Sequence, residues 1–203
     1  MDVYSTEEQQ VEAIKSWWQK NGKSVVIGTV VGLAALAGWR YYQAETLRAN
    51  EQSSQAYHQV VTELTANSND SIADAKAFIA EDNSSHYAVL TSLQLAKNYV
   101  ENGDLAGAKQ VLVDVQASNK DASLTPLILT RLARIYAEDE NYTQANAELA
   151  KITDESWKGR VEELKGDFFA RQGKSSEALQ AYNQAQEFGV TGVIQMKIDD
   201  LAQ

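Results

Sequence analysis

The chain has 203 residues, 44% of them hydrophobic, enough to bury a core and to exclude wholesale disorder. One proline and no cysteine exclude a collagen-like chain, a disulfide scaffold, a thiol enzyme and cysteine-bound zinc. Eighteen lysines and arginines against 28 acids leave a net charge of −10, which repels phosphate backbones and argues against nucleic-acid binding.

Residues 1–23 read as a short cytoplasmic segment. Val11, Ile14 and Trp18 fall on one helical stripe, with Glu8, Glu12 and Lys15 elsewhere, the pattern of a helix lying on a membrane surface. From Ser24 to Trp39 no residue is charged. At about 1.5 Å per residue this stretch covers roughly 24 Å, slightly short of a hydrocarbon core of about 30 Å. The flanks extend it. Trp17 and Trp18 precede it, Trp39, Tyr41 and Tyr42 follow it, and Lys23 and Arg40 are placed to snorkel outward. Residues 24–42 are therefore expected to span a membrane in contact with lipid.

Two other readings compete. A buried core helix would have no reason to gather three of the four tryptophans at its two ends. A cleaved secretion signal is suggested by Ala35-Leu36-Ala37, but such signals open on a short basic stretch. Here four acids (Asp2, Glu7, Glu8, Glu12) outnumber three lysines. Those lysines (Lys15, Lys20, Lys23), set against Arg40 and Arg48 beyond the span, favour a cytoplasmic N-terminus and an exported C-terminal domain. Within the span, Gly28 and Gly32 are four apart, as are Ala34 and Gly38, a spacing that lets a second helix approach closely.

Four basic and four acidic residues precede Glu45, so residues 45–203 hold 14 basic and 24 acidic residues and the whole net charge. Their apolar pattern is helical. Glu45–Thr65 and Ile72–Glu81 read as an atypical helix pair, 45–83, with stripes at Tyr57, Val60, Val61, Leu64 and at Ile72, Ala75, Ile79.

Beyond it the chain repeats. Ala96, Ala133 and Gly166 are each followed three positions later by an aromatic (Tyr99, Tyr136, Phe169) and twelve later by an alanine (Ala108, Ala145, Ala178). Leu112, Leu149 and Tyr182 stand sixteen later; Val115, Ile152 and Ala185 stand nineteen later. The registers lie 37 and 33 residues apart, and the Lys120–Pro126 connection accounts for the longer one. Two helices of a hairpin approach closely only where side chains are small at the crossing, and a neighbouring aromatic fills the gap against the next pair. The pattern resembles the tetratricopeptide repeat. The expected fold is thus all-α: a membrane helix, then a helical-hairpin solenoid over 43–203. Its repeats are about 88–118, 125–153 and 158–187, and a capping helix at 193–201 buries Val193, Ile194, Lys197, Ile198 and Leu201.

No phosphate loop, H-E-x-x-H, G-x-S-x-G or Rossmann glycine run is present, so neither an enzyme nor a cofactor is expected. His58 and His86 read as surface or capping residues, and Glu162-Glu163 and Asp199-Asp200 as solvated doublets. The groove formed by the first helices of successive repeats is the candidate partner surface. It is assigned Leu93, Lys97 and Glu101; Thr130, Arg134 and Glu138; and Glu163, Asp167 and Arg171. The competing reading is a solvated helix face.

Gln10-Val11-Glu12-Ala13-Ile14-Lys15, Asn21-Gly22-Lys23, Gly38-Trp39-Arg40-Tyr41-Tyr42 and Met196-Lys197-Ile198 occur together with these acidic helical repeats. In this the chain resembles the YfgM-type ancillary subunits of the bacterial Sec translocon. The resemblance implies a single-pass inner-membrane protein with a periplasmic domain. It implies as partners the SecYEG channel and a membrane-anchored peptidyl-prolyl isomerase-type chaperone. The family's tie to a stress response regulator supplies an alternative, in which segment 1–23 restrains that regulator.

Overall fold

The computed structural model describes residues 7–66 and 70–201, with the side chains of residues 7 and 8 excepted. The first six residues of segment 1–23 and part of the turn inside the pair 45–83 lie outside it. Among the described residues there is no strand. The chain divides into two compact units, residues 1–53 and 54–203.

Helix α1 (Glu7–Thr65) runs through the amphipathic stretch, the apolar span and the first half of the expected pair without interruption. The expected breaks between these pieces are absent because nothing between residues 7 and 65 stops a helix: the single proline is Pro126. In the first unit the apolar side chains of this helix face outward. Ile27, Val30, Val31, Leu33 and Leu36 are each 60–63% exposed. That exposure removes the core-helix reading. The hydroxyl of Thr29 donates to the carbonyl of Val25 at 2.9 Å, so the helix itself satisfies that donor.

The second unit is a stack of hairpins. Its elements after the end of α1 are α2 (Ser71–Glu81), α3 (His86–Glu101), α4 (Leu105–Ser118), α5 (Thr125–Glu138) and α6 (Tyr142–Ala150). They are followed by α7 (Lys158–Arg171), α8 (Ser175–Glu187) and α9 (Val193–Leu201), with a short 3-10 turn, Glu155–Trp157, before α7. The pairs α3–α4, α5–α6 and α7–α8 place the repeated small residues and alanines at their crossings. Ala96 and Ala108 share one buried cluster and Ala133 and Ala145 the next. In the third pair a Cβ on Gly166 would overlap the ring of Tyr182, so only glycine admits that ring. Val60 and Leu64 of α1 join Ala75 of α2 and Leu95 of α3 in a separate buried cluster, and the Asn98 amide donates to the carbonyl of Leu64 at 3.1 Å.

The three hairpin turns are copies of one another. Gly103, Glu140 and Gly173 occupy equivalent positions, and all three have positive φ (78°, 56° and 71°). The amides of Asp104, Asn141 and Lys174 donate back to the carbonyls of Tyr99, Tyr136 and Phe169 at 2.8, 2.8 and 3.0 Å. That is the Schellman closure of a helix end, which needs a left-handed residue one position earlier. The side chains of Asp104 and Asn141 then cap the next helix through the amides of Gly107 and Gln144.

Helix α9 closes the stack with fewer residues than the stripe suggested. Ile194 is fully buried, and Ile198 and Leu201 pack beside it, but Val193 is 60% exposed. Val193 opens the helix just after Gly192, at positive φ, and its side chain leaves the stack there.

Candidate functional site

Within a repeat, the assigned groove positions lie three before, one after and five after the small crossing residue. At 3.6 residues per turn these point about 60°, 100° and 140° away from the crossing. Burial follows that order. Leu93, Thr130 and Glu163 are buried, with 3%, 5% and 6% exposure, and line the interior rather than a surface. Lys97 and Arg134 are exposed and Asp167 is half-buried, while Glu101, Glu138 and Arg171 are exposed.

The exposed set is not equally organised along the stack. On α3, Lys97 and Glu101 form a loose surface pair at 3.5 Å. Between α5 and α7 the charges are tied together. Arg171 pairs with Glu138 across the two helices at 2.6 Å. Glu163 accepts from Arg160 on one oxygen and from Lys197 on the other, the latter at 2.8 Å. Lys197 also donates to Asp167 at 2.6 Å, and the Tyr182 hydroxyl donates to the same carboxylate oxygen at 2.9 Å. Burial, the largest single influence on Glu163, raises its pKa, but the hydrogen bonds from Lys197 and Arg160 together outweigh it and leave the carboxyl below its ordinary range. The Tyr182 hydroxyl is held well above its ordinary range, first by burial and then by Asp167.

A hollow of about 320 Å³ opens beside this network, lined by Arg134, Glu138, Leu164, Asp167, Phe168 and Arg171. Partial burial holds the Arg134 guanidinium below the ordinary arginine range. The charge of Arg160 adds to that, and Asp167 and Glu163 partly oppose it. Lys197, Tyr182 and Arg160 were not assigned to the groove from sequence. One signal was present: a lysine on the buried stripe of a capping helix must find carboxylates, and Lys197 finds two.

A second concavity, about 940 Å³, lies on the second-helix side, between α2 and α4 with α3 as its floor. Leu95, Tyr99, Ile79 and Val111 give it an apolar base, and Lys76, Asp114 and Lys120 stand around it. In the first unit, Gly28, Gly32 and Gly38 have nothing within 4 Å of where a side chain would begin, and Ala34 is exposed, so both small-residue pairs, which point about 120° apart on the helix, are uncovered. Val11, Ile14 and Trp18 are likewise exposed on one side of the helix, and Lys15 stands beside them at the edge of the stripe rather than away from it as expected.

The tetratricopeptide repeat-like domain family matches residues 15–203. The ancillary SecYEG translocon subunit of Escherichia coli (strain K12) is 33% identical over 206 residues, covering 100% of both chains. The proteins of the same description from Haemophilus influenzae (27% identical, 90% of each chain) and Neisseria gonorrhoeae (24% identical, 99% of this chain and 100% of the other) are also similar. A solved structure of Pseudomonas aeruginosa pilF superposes with a TM-score of 0.58 at 16% identity, covering 75% of this chain and 68% of that one. At that identity the likeness shows the helical-repeat fold. With a repeat stack, an exposed apolar helix before it and a full-length relative at this identity, the chain belongs to the tetratricopeptide repeat-like family of ancillary SecYEG translocon subunits.

Proposed function

We propose that this protein is a non-catalytic adaptor at the SecYEG translocon. Its N-terminal helix sits in the inner membrane among lipids, with the segment before residue 24 in the cytoplasm. Its repeat domain stands in the periplasm. There it links exported polypeptides to a membrane-anchored peptidyl-prolyl isomerase-type chaperone. The observation behind this reading is the uncovered apolar stretch of α1, long enough to cross a bilayer, in a chain whose other unit is a stack of helical hairpins. Such an anchor confines the stack near the channel and raises its effective concentration there without strong contacts. The surfaces offered for contact are the groove residues Lys97, Glu101, Arg134, Glu138, Asp167 and Arg171, and the small-residue pairs Gly28/Gly32 and Ala34/Gly38 for neighbouring membrane helices.

A second reading has its own observation. The exposed stripe Val11, Ile14 and Trp18 is suited to a cytoplasmic partner such as a stress response regulator as well as to the membrane surface. Removing residues 1–23 while retaining the span and the stack separates the two. An adaptor keeps its co-purification with SecYEG and the chaperone. A regulator acting through that segment loses its regulatory effect, and the absence of SecYEG and chaperone from the purified intact protein contradicts the adaptor reading.

A further inference from the structure

We propose that the hollow beside Arg134 receives an acidic side chain, an aspartate or glutamate carried on an extended segment of a partner polypeptide. The inference rests on the reading of the repeat face as a contact surface and adds the chemistry of what it contacts.

Three of the cations around this hollow are already engaged. Arg160 holds Glu163, Lys197 spans Glu163 and Asp167, and Arg171 holds Glu138. Together with Arg134 they make four positive charges against three carboxylates. Among the described residues Arg134 makes no hydrogen bond or ion pair, so it is the one cation of the four without a direct partner. An arginine presents a planar fork of donors that matches a carboxylate in two-point geometry. Its guanidinium is partly withdrawn from water and lies in the field of Arg160 and Arg171, which Asp167 and Glu163 partly oppose. An incoming carboxylate therefore finds one unengaged guanidinium, while the nearby charges of Arg160 and Arg171 are answered by Glu163 and Glu138.

The shape narrows the ligand. Leu164 and Phe168, both buried, form the apolar part of the lining, and the charges stand around it. A side chain with one or two methylenes ending in a carboxylate fits that arrangement, whereas a bare inorganic anion leaves the apolar part unused. At about 320 Å³ the hollow lies at the small end of ligand pockets and suits one side chain rather than a folded surface. A lipid headgroup is the poorer occupant. Residues 45–203 hold 24 acids against 14 basic residues, and an anionic bilayer repels that surface as a whole. The same acidic surround makes the positive spot selective, since it admits a carboxylate only where Arg134 stands.

The test uses the full chain in nanodiscs of neutral lipid, with two fluorescein-labelled nonapeptides. One carries a central glutamate between two leucines; its twin carries glutamine there. By fluorescence anisotropy at low salt the glutamate peptide should bind about tenfold more tightly than its twin, the size of one charge-assisted pair. The preference should shrink as salt rises. Arg134→Gln should abolish it. Glu138→Gln, which frees Arg171, should tighten binding of the glutamate peptide, an outcome that a misfolded variant cannot produce. Equal binding of the two peptides, no binding of either, or a preference that survives Arg134→Gln overturns the proposal. So does Arg134-dependent capture of phosphatidylglycerol vesicles in place of the peptide. If the proposal fails here while cross-links to SecYEG persist in membranes, the adaptor reading stands without it.

Discussion

The ring of Tyr182 occupies the space where a side chain on Gly166 would begin, and its hydroxyl donates to Asp167, the next residue along α7, at 2.9 Å. One helix thereby accepts an aromatic at closest approach and binds its polar tip. The third repeat achieves with glycine and tyrosine what the first two achieve with alanine and leucine.

Gly166→Ala should destabilise the protein by about 1–3 kcal/mol, because overpacking at the ring outweighs the helix propensity gained. The urea midpoint of the detergent-solubilised chain measures it. A midpoint unchanged or raised would mean that the ring moves aside freely.

Glu140 sits at φ 56°, in the left-handed conformation that its counterparts Gly103 and Gly173 supply with glycine. A residue with a Cβ is strained there by about 1–2 kcal/mol, part of which glycine returns as greater freedom of the unfolded chain. Glu140→Gly should raise stability by about 0.5–1 kcal/mol, seen as a higher melting temperature. Gly103→Ala, the reverse change in the first repeat, should lower it.

Glu163 is buried between Arg160 and Lys197, and its carboxyl is held below the ordinary range. A group with a depressed folded-state pKa contributes stability that is present above its unfolded pKa and disappears as pH falls through the folded value. Glu163→Gln should cost about 1–3 kcal/mol at neutral pH. The gap between wild type and variant should then close in acid, below the ordinary glutamate range. Unfolding curves at several pH values would show it, and a gap independent of pH would assign the loss to packing.

The apolar stretch of α1 is exposed along its length, so a charge placed there meets whatever solvent surrounds it. An arginine near the centre of a span costs about 2.5–3.5 kcal/mol on insertion scales. Leu33→Arg should therefore move the protein from the carbonate-resistant membrane fraction toward the soluble fraction. Its helical circular dichroism should be unaltered.

The repeat stack was legible from sequence because its rules are local. A small residue, an aromatic three later and an alanine twelve later restate one helix crossing. The groove was legible only in part. Leu93, Thr130 and Glu163 share its spacing, but at about 60° from the crossing they turn inward, and spacing alone does not tell a lining from an interior. Lys197 reaches Glu163 and Asp167 from 34 and 30 residues away, and that closure depends on how α9 docks. The continuity of α1 was missed for a different reason. Changes of composition at residues 24 and 43 mark changes of surroundings, and a helix passes through them unbroken.

An adaptor at the translocon must touch it. Photo-cross-linkers placed singly at Leu36 in the span and at Arg171 on the repeat face, in membranes where SecYEG is present at normal levels, test that contact most directly. The span position should yield adducts with channel subunits, and the repeat face adducts with the chaperone or an exported chain. Membranes yielding only lipid adducts or products with unrelated proteins at both positions would contradict the adaptor reading.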